Sequence, residues 1–275
     1  MDSAFDIKQA KISKRIYAFL IDLLIFIVIF SASMFFFTKY VEDYNDTKKV
    51  YDDKCLEYNL VVEKTNENGE KYTTTWTVYD FMLSSFASSG CHAEKEEDIK
   101  EVTEACQKEF NEFLIKQNDA FGNDAVATTA YNTVVKYRVG FYAISSFLAL
   151  LIINIVFPLI FKNGQTLGKK VFKLGLVNKK GIKVGTFNIV VRFLIGIFAL
   201  EVFPLMLYLA VSNVYTIGLL FGMGLSFVNF CLFIFTKNHN LVHDYIGGTI
   251  VVDLHTTIIF NSVEEMNRIK GNANK

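Results

Sequence analysis

Four runs of apolar residues, each long enough to cross a bilayer as one helix, constrain this chain more than any other feature. A crossing helix needs about 20 mostly apolar residues. The runs cover residues 16–37, 139–161, 190–211 and 214–235. The first contains one charge, Asp22; the third has Arg192 at its start and Glu201 inside; the fourth has none. The formal net charge is zero, yet the charges are segregated: residues 39–137 hold 20 acidic residues and 11 lysines, about nine net negative charges. Segregation of this kind implies two solvents, lipid and water.

Two other readings of the first run compete with a membrane span. Lys11, Lys14 and Arg15 with Ser31-Ala32-Ser33 resemble a secretory signal and its cleavage site. The apolar run continues to Phe37, however, and Asp22 would be unusual in a signal core. Core helices of a soluble protein are disfavoured by four runs of full span length. Basic residues in short flanking segments set orientation. The N-terminal arm carries Lys8, Lys11, Lys14 and Arg15, and segment 162–189 carries seven lysines and no acid. Both termini and 162–189 are therefore expected in the cytoplasm, with 39–137 and a turn at Ser212-Asn213 outside.

The expected fold class is membrane all-α. It is a four-helix transmembrane bundle with a small cytoplasmic β element and an α+β extracytoplasmic insert. Residues 1–38 form the arm and first span, 39–137 the acidic outer domain, 138–255 the membrane core, and 256–275 a cytoplasmic tail. Within the insert, 94–118 has helical spacing of apolar residues, and 58–64 with 71–79 reads as a hairpin around Asn66-Glu67-Asn68-Gly69. Its cysteines, Cys55, Cys91 and Cys106, face an oxidising side, and Cys91 with Cys106 is the first choice for a disulfide. His92 without a CxxC spacing argues against zinc, and no metal or cofactor is expected.

Each span contributes one polar group at similar depth: Asp22, Asn154, Glu201 and Asn229. Ionisable groups in lipid normally face the bundle and have partners. One reading makes these four a proton- or cation-binding site. The other makes them interhelical hydrogen-bond partners, with Asp22 paired to Arg15 or Arg192. Pro204 follows Glu201 by three, and Gly218 with Gly222 and Gly224 indicates close packing of the fourth run. On the cytoplasmic side, 166–172 reads as a short basic surface helix. It is followed by a hairpin of 173–177 with 182–184 and by a third strand at 250–253. Arg15, Asp22, Arg192, His243 and Asp244 form a motif charge cluster at this boundary, where His243 is either a titrating group or a structural donor. The Gly164 to Lys170 stretch does not fit a phosphate-binding loop, and no catalytic triad is seen.

Several spaced motifs resemble the RDD family of bacterial membrane proteins. They are Lys14 through Asp22, Gly164-Gln165-Thr166-Leu167-Gly168-Lys169, Gly181 with Arg192, and His243-Asp244 through Gly248-Thr249. Arg15, Asp22 and Asp244 correspond to the name-giving arginine and aspartates. The resemblance covers about 10–38 and 138–255. The insert 39–137 is a departure from the shorter connection of typical members. The resemblance implies a multi-pass protein of the bacterial cell membrane, with transport or cation/proton exchange proposed for some members. The expected function is a small transporter or monovalent cation/proton exchanger. The alternative is a membrane-anchored sensor or scaffold whose outer domain binds a protein or ligand. An enzyme is the least supported class. The expected partners are the lipid bilayer and other copies in a homo-oligomer, and no nucleic acid is expected.

Overall fold

A computed structural model describes residues 9–99, 101–202, 215–236 and 239–273. The chain is mostly helical with two small sheets, and it divides into two compact units, Met1–Phe37 with Val139–Lys275, and Thr38–Arg138. Among the described residues, two helices are long and apolar enough to cross a membrane: α1, Ile12–Tyr40, and the helical run α5, Ala125–Ile160. None of the most apolar window of α1 is buried within the chain itself. An apolar surface of that length left uncovered is what a helix facing lipid presents.

In the unit Thr38–Arg138, α2 covers Glu42–Glu57. A hairpin follows, β1 (Val61–Thr65) with β2 (Lys71–Thr75), in register Val61↔Thr75 to Thr65↔Lys71. The Asn66 side chain closes the turn by accepting from the Asn68 and Glu70 amides. Beyond a short helix α3, Val78–Met82, comes α4, Glu104–Asn123. The helix expected over 94–118 thus starts about ten residues later. Thr103 caps it by accepting from the Cys106 amide, and Cys106 is bonded to Cys91 (Cα–Cα 5.4 Å), while Glu96–Asp98 form a separate single 3-10 turn. Phe81, Phe110 and Phe113 form one core here, with Trp76 packed against it; Cys55 is free and buried in another, with Phe121 and Ala127. Asp124 joins the elements around that second core. It accepts from Lys54 and Tyr58 at 2.9 Å each and caps α5 through the Val126 and Ala127 amides. The Lys54 ammonium, these amides and Tyr58 hold its carboxyl well below the usual range.

In the other unit, after α5, come α6 (Leu167–Val171), β3 (Leu174–Asn178) and α7. Helix α7 is Thr186–Val191 continued by a π-helical stretch, Arg192–Val202. Then follow α8 (Tyr215–Phe235), α9 (Val242–Gly247), β4 (Thr249–Asp253) and α10 (Val263–Ala273). Strand β3 pairs with β4, Leu174↔Asp253 to Asn178↔Thr249, where the third strand is expected at 250–253. The hairpin expected between 173–177 and 182–184 is reduced to its turn: Val177 bridges Lys183, and the Asn178 amide donates to the Ile182 carbonyl. The pairing with β4 buries both faces of both strands. Residue Ala10, just before α1, donates to Val251 on the far edge of β4. Pro204 and the turn at Ser212-Asn213 lie outside the described residues. Gly224 has open space around it, so it supplies no close helix contact among the described residues.

The chain has one tryptophan, and Trp76 stacks edge-on against Phe86 and Phe113, so its fluorescence reports the Thr38–Arg138 unit alone. A bridge closing about 15 residues stabilises by ~3 kcal/mol in the chain-entropy account. Replacing Cys91 and Cys106 together with serine should lower the urea midpoint of that fluorescence by about 1–3 M.

Candidate functional site

Helix α1 meets the loop after α5 through one carboxylate. Asp22 Oδ1 accepts the Gly168 amide at 2.8 Å, and Oδ2 accepts the Thr166 hydroxyl at 2.5 Å. The Thr166 hydroxyl oxygen in turn accepts the Lys169 amide, capping α6. Such closeness requires glycine at 168: an added Cβ would lie 2.0 Å from the Ala18 carbonyl oxygen. The Gln165 amide donates to the Leu174 carbonyl at 2.7 Å, and Gly164 turns with φ +61°. The helix expected to lie on the surface is therefore docked on α1, with Gly168 buried and Lys170 exposed.

The expected pairing of Asp22 with Arg15 or Arg192 does not occur. Seven residues of helix separate Arg15 from Asp22 by about 10 Å along the axis, and each is used by a different loop. Arg15 donates to the His239 carbonyl at 2.6 Å and lies 3.6 Å from Asp244 Oδ2. Arg192 donates through Nε to Asp244 Oδ1 at 3.0 Å, where the Thr249 hydroxyl also donates at 3.3 Å. Asp244 Oδ2 accepts the Leu241 amide and so caps α9. All three charges are withdrawn from solvent: Arg15 is 9% exposed, Arg192 5% and Asp244 1%. His243 Nε2 is 3.7 Å from the same carboxylate. Burial by itself would raise the Asp244 carboxyl. Arg192, His243, Arg15 and Lys169 outweigh it and hold the group well below the usual range.

Two glycines make room for this cluster. A Cβ on Gly196 would sit 2.6 Å from the His243 Cβ, and one on Gly247 2.7 Å from the Arg192 Cβ. The Asn188 amide donates to the Gly247 carbonyl at 2.9 Å, fixing α9 on α7.

A cavity of about 690 Å³ opens beside the cluster. Phe26, Phe30, Tyr142 and Phe230 line its apolar part, while Arg15, Asp22, Lys169, Arg192 and Asp244 line the charged part. Asn154 and Asn229 also reach it. Asn154 donates back to the Leu150 carbonyl at the start of a π-helical turn, Ile152–Val156. Asn229 accepts the Val242 amide at 2.9 Å. The cavity thus gathers Asp22, Asn154 and Asn229, while the Glu201 side chain lies outside the described residues. Sequence reasoning gave no role to Lys169 or Thr166, although both stand inside the quoted glycine-flanked motif. The Lys169 ammonium makes no hydrogen bond or ion pair among the described residues. Burial, then Arg192, pushes it down to about 7 against the opposing pull of Asp244 and Asp22.

Gly168→Ala should cost ~1–3 kcal/mol by overpacking, read as a lower melting midpoint of the solubilised protein, whereas Gly224→Ala should leave it unchanged. Asp244→Asn should cost ~3–5 kcal/mol, because it leaves two arginines buried without their counter-charge. The Asp244 contribution is full above the unfolded value of about 3.9 and is lost as pH falls toward its lower folded value. Acid melting curves of Asp244→Asn should show a smaller loss than the wild type, the remainder coming from Asp124 and the other paired carboxylates.

No curated protein and no solved structure matches the chain. The model of the RDD family matches residues 113–248, about half of the sequence. That match includes Gly168, Lys169, Arg192 and Asp244 and leaves out α1, whose Arg15 and Asp22 reach the matched part through the bonds above. The chain carries an RDD-family domain, and it is a membrane protein of that kind.

Proposed function

We propose that this protein is a small transporter whose core crosses the bilayer four times and whose substrate chamber is the cavity beside Asp22 and Asp244. The cavity carries the reading. At about 690 Å³ it falls within the roughly 300–1,000 Å³ of sites that bury a small ligand, and it joins apolar walls to a few convergent polar groups. The lysines of 162–189 support a cytoplasmic side for that segment and both termini, and an exterior side for 39–137. The Cys91–Cys106 disulfide supports an oxidising location for the outer unit. Four spans make a thin pathway, which favours a homo-oligomer.

Monovalent cation/proton exchange is the version of this reading that rests on Asp22. It requires the carboxylate to exchange its Thr166 and Gly168 bonds for an ion or a proton. A sensor or scaffold is the second reading, favoured by the outer unit's own aromatic core, which a transport pathway does not need.

Proteoliposomes with a trapped pH dye, challenged with sodium or potassium, test exchange. Transport through the chamber predicts a signal that Asn154→Trp removes by filling the cavity. If Asp22 carries the proton, Asp22→Asn removes it too. No flux of either ion in folded, reconstituted protein overturns exchange. A phenotype lost on deleting 39–137 while flux persists favours the sensor.

A further inference from the structure

Among the described side chains at the cavity, three basic groups, Arg15, Lys169 and Arg192, face two acids, Asp22 and Asp244. The two arginines are committed: Arg192 to Asp244, and Arg15 to Asp244 and the His239 carbonyl. Asp22 is committed to the Thr166 hydroxyl and the Gly168 amide. Lys169 is the basic group that lines the cavity without a hydrogen bond or ion pair among the described residues. Asp244 and Asp22 offset its burial only in part, so an anion entering the cavity would favour its charged form.

The rest of the cavity says what else such an anion carries. Away from the charges the walls are mostly apolar, with Phe26, Phe30, Tyr142 and Phe230 among them, and Asn154 and Asn229 bonded to backbone groups. One basic group at one end and a mostly apolar chamber beside it match a single negative head on a hydrocarbon chain. A doubly charged phosphate would need a second free cation, preferably an arginine fork, and both arginines are already engaged.

We infer that the cavity is a binding site for a long-chain fatty acid, its carboxylate paired with Lys169 and its acyl chain lying between α1, α5 and α8. The inference rests on the cavity being a ligand chamber and not on transport, since occupancy is measured without flux.

Photolabelling of the full chain in phosphatidylcholine nanodiscs, with a diazirine-bearing palmitate and peptide mapping, tests it. Labelling should concentrate on the peptides holding Phe26, Phe30 and Phe230. Unlabelled oleate should compete, and methyl oleate, which has the same chain without the charge, should compete about tenfold less well. Lys169→Met should lose about tenfold in labelling, and Lys169→Arg should keep most of it. Equal competition by methyl oleate, wild-type labelling of a folded Lys169→Met, or labelling spread evenly over the apolar helix surfaces would each overturn the assignment. Stronger competition by lysophosphatidylglycerol than by oleate would overturn the carboxylate head. The oleate and methyl oleate arms use the wild type alone, so a Lys169 variant that fails to fold does not decide the outcome. Site-specific labelling without ion flux would retain this site and reject exchange; flux without labelling would do the reverse.

Discussion

A carboxylate with almost none of its surface in water cannot hold its charge without partners, and Asp244 draws its partners from separate helices. Arg15 comes from α1 and Arg192 from α7, and the backbone of Leu241 and the hydroxyl of Thr249 complete its acceptors. The same side chain caps α9, so the helix carrying it is positioned by the ion pairs it makes. Removing one charge would strand the others in a medium that does not solvate them. This cost ties the start of α1 to a segment more than 200 residues later in the chain.

Asp22 does the second half of that work by a different route. Its partners are a backbone amide and a hydroxyl, so it holds α6 against α1 without a buried ion pair. The approach is close enough that only glycine fits at 168. With Asp22 and Asp244 both engaged, Lys169 is the basic group at the cavity without a hydrogen bond or ion pair among the described residues.

The Thr38–Arg138 unit follows separate rules. It has its own aromatic core around Phe81, Phe110 and Phe113, a disulfide, and a surface rich in carboxylates. Asp124 stands where α4 ends and α5 begins, and its bonds to Lys54 and Tyr58 bring the end of α2 to that junction. The unit is thus fixed by local caps and packing of the ordinary aqueous kind.

Periodicity and charge density made much of this visible without coordinates. The apolar runs of α1 and α5, the hairpin turn at Asn66 to Gly69 and the motif residues around the cavity are all short-range signals, set by spacing along the chain. Long-range choices were not visible. The strand at 250–253 was legible, but that β3 makes its full ladder with it and only a bridge to 182–184 was not, because the extent of pairing follows burial of both strand faces. The partner of Arg15 is Asp244 and not Asp22, because one helix face presents its charges to two different loops. Residue types and their spacing by themselves determined a membrane protein with a charged motif cluster at one boundary. Only the tertiary structure decided which charges neutralise one another, since pairing depends on distances of a few ångströms between distant segments, and sequence spacing does not encode them.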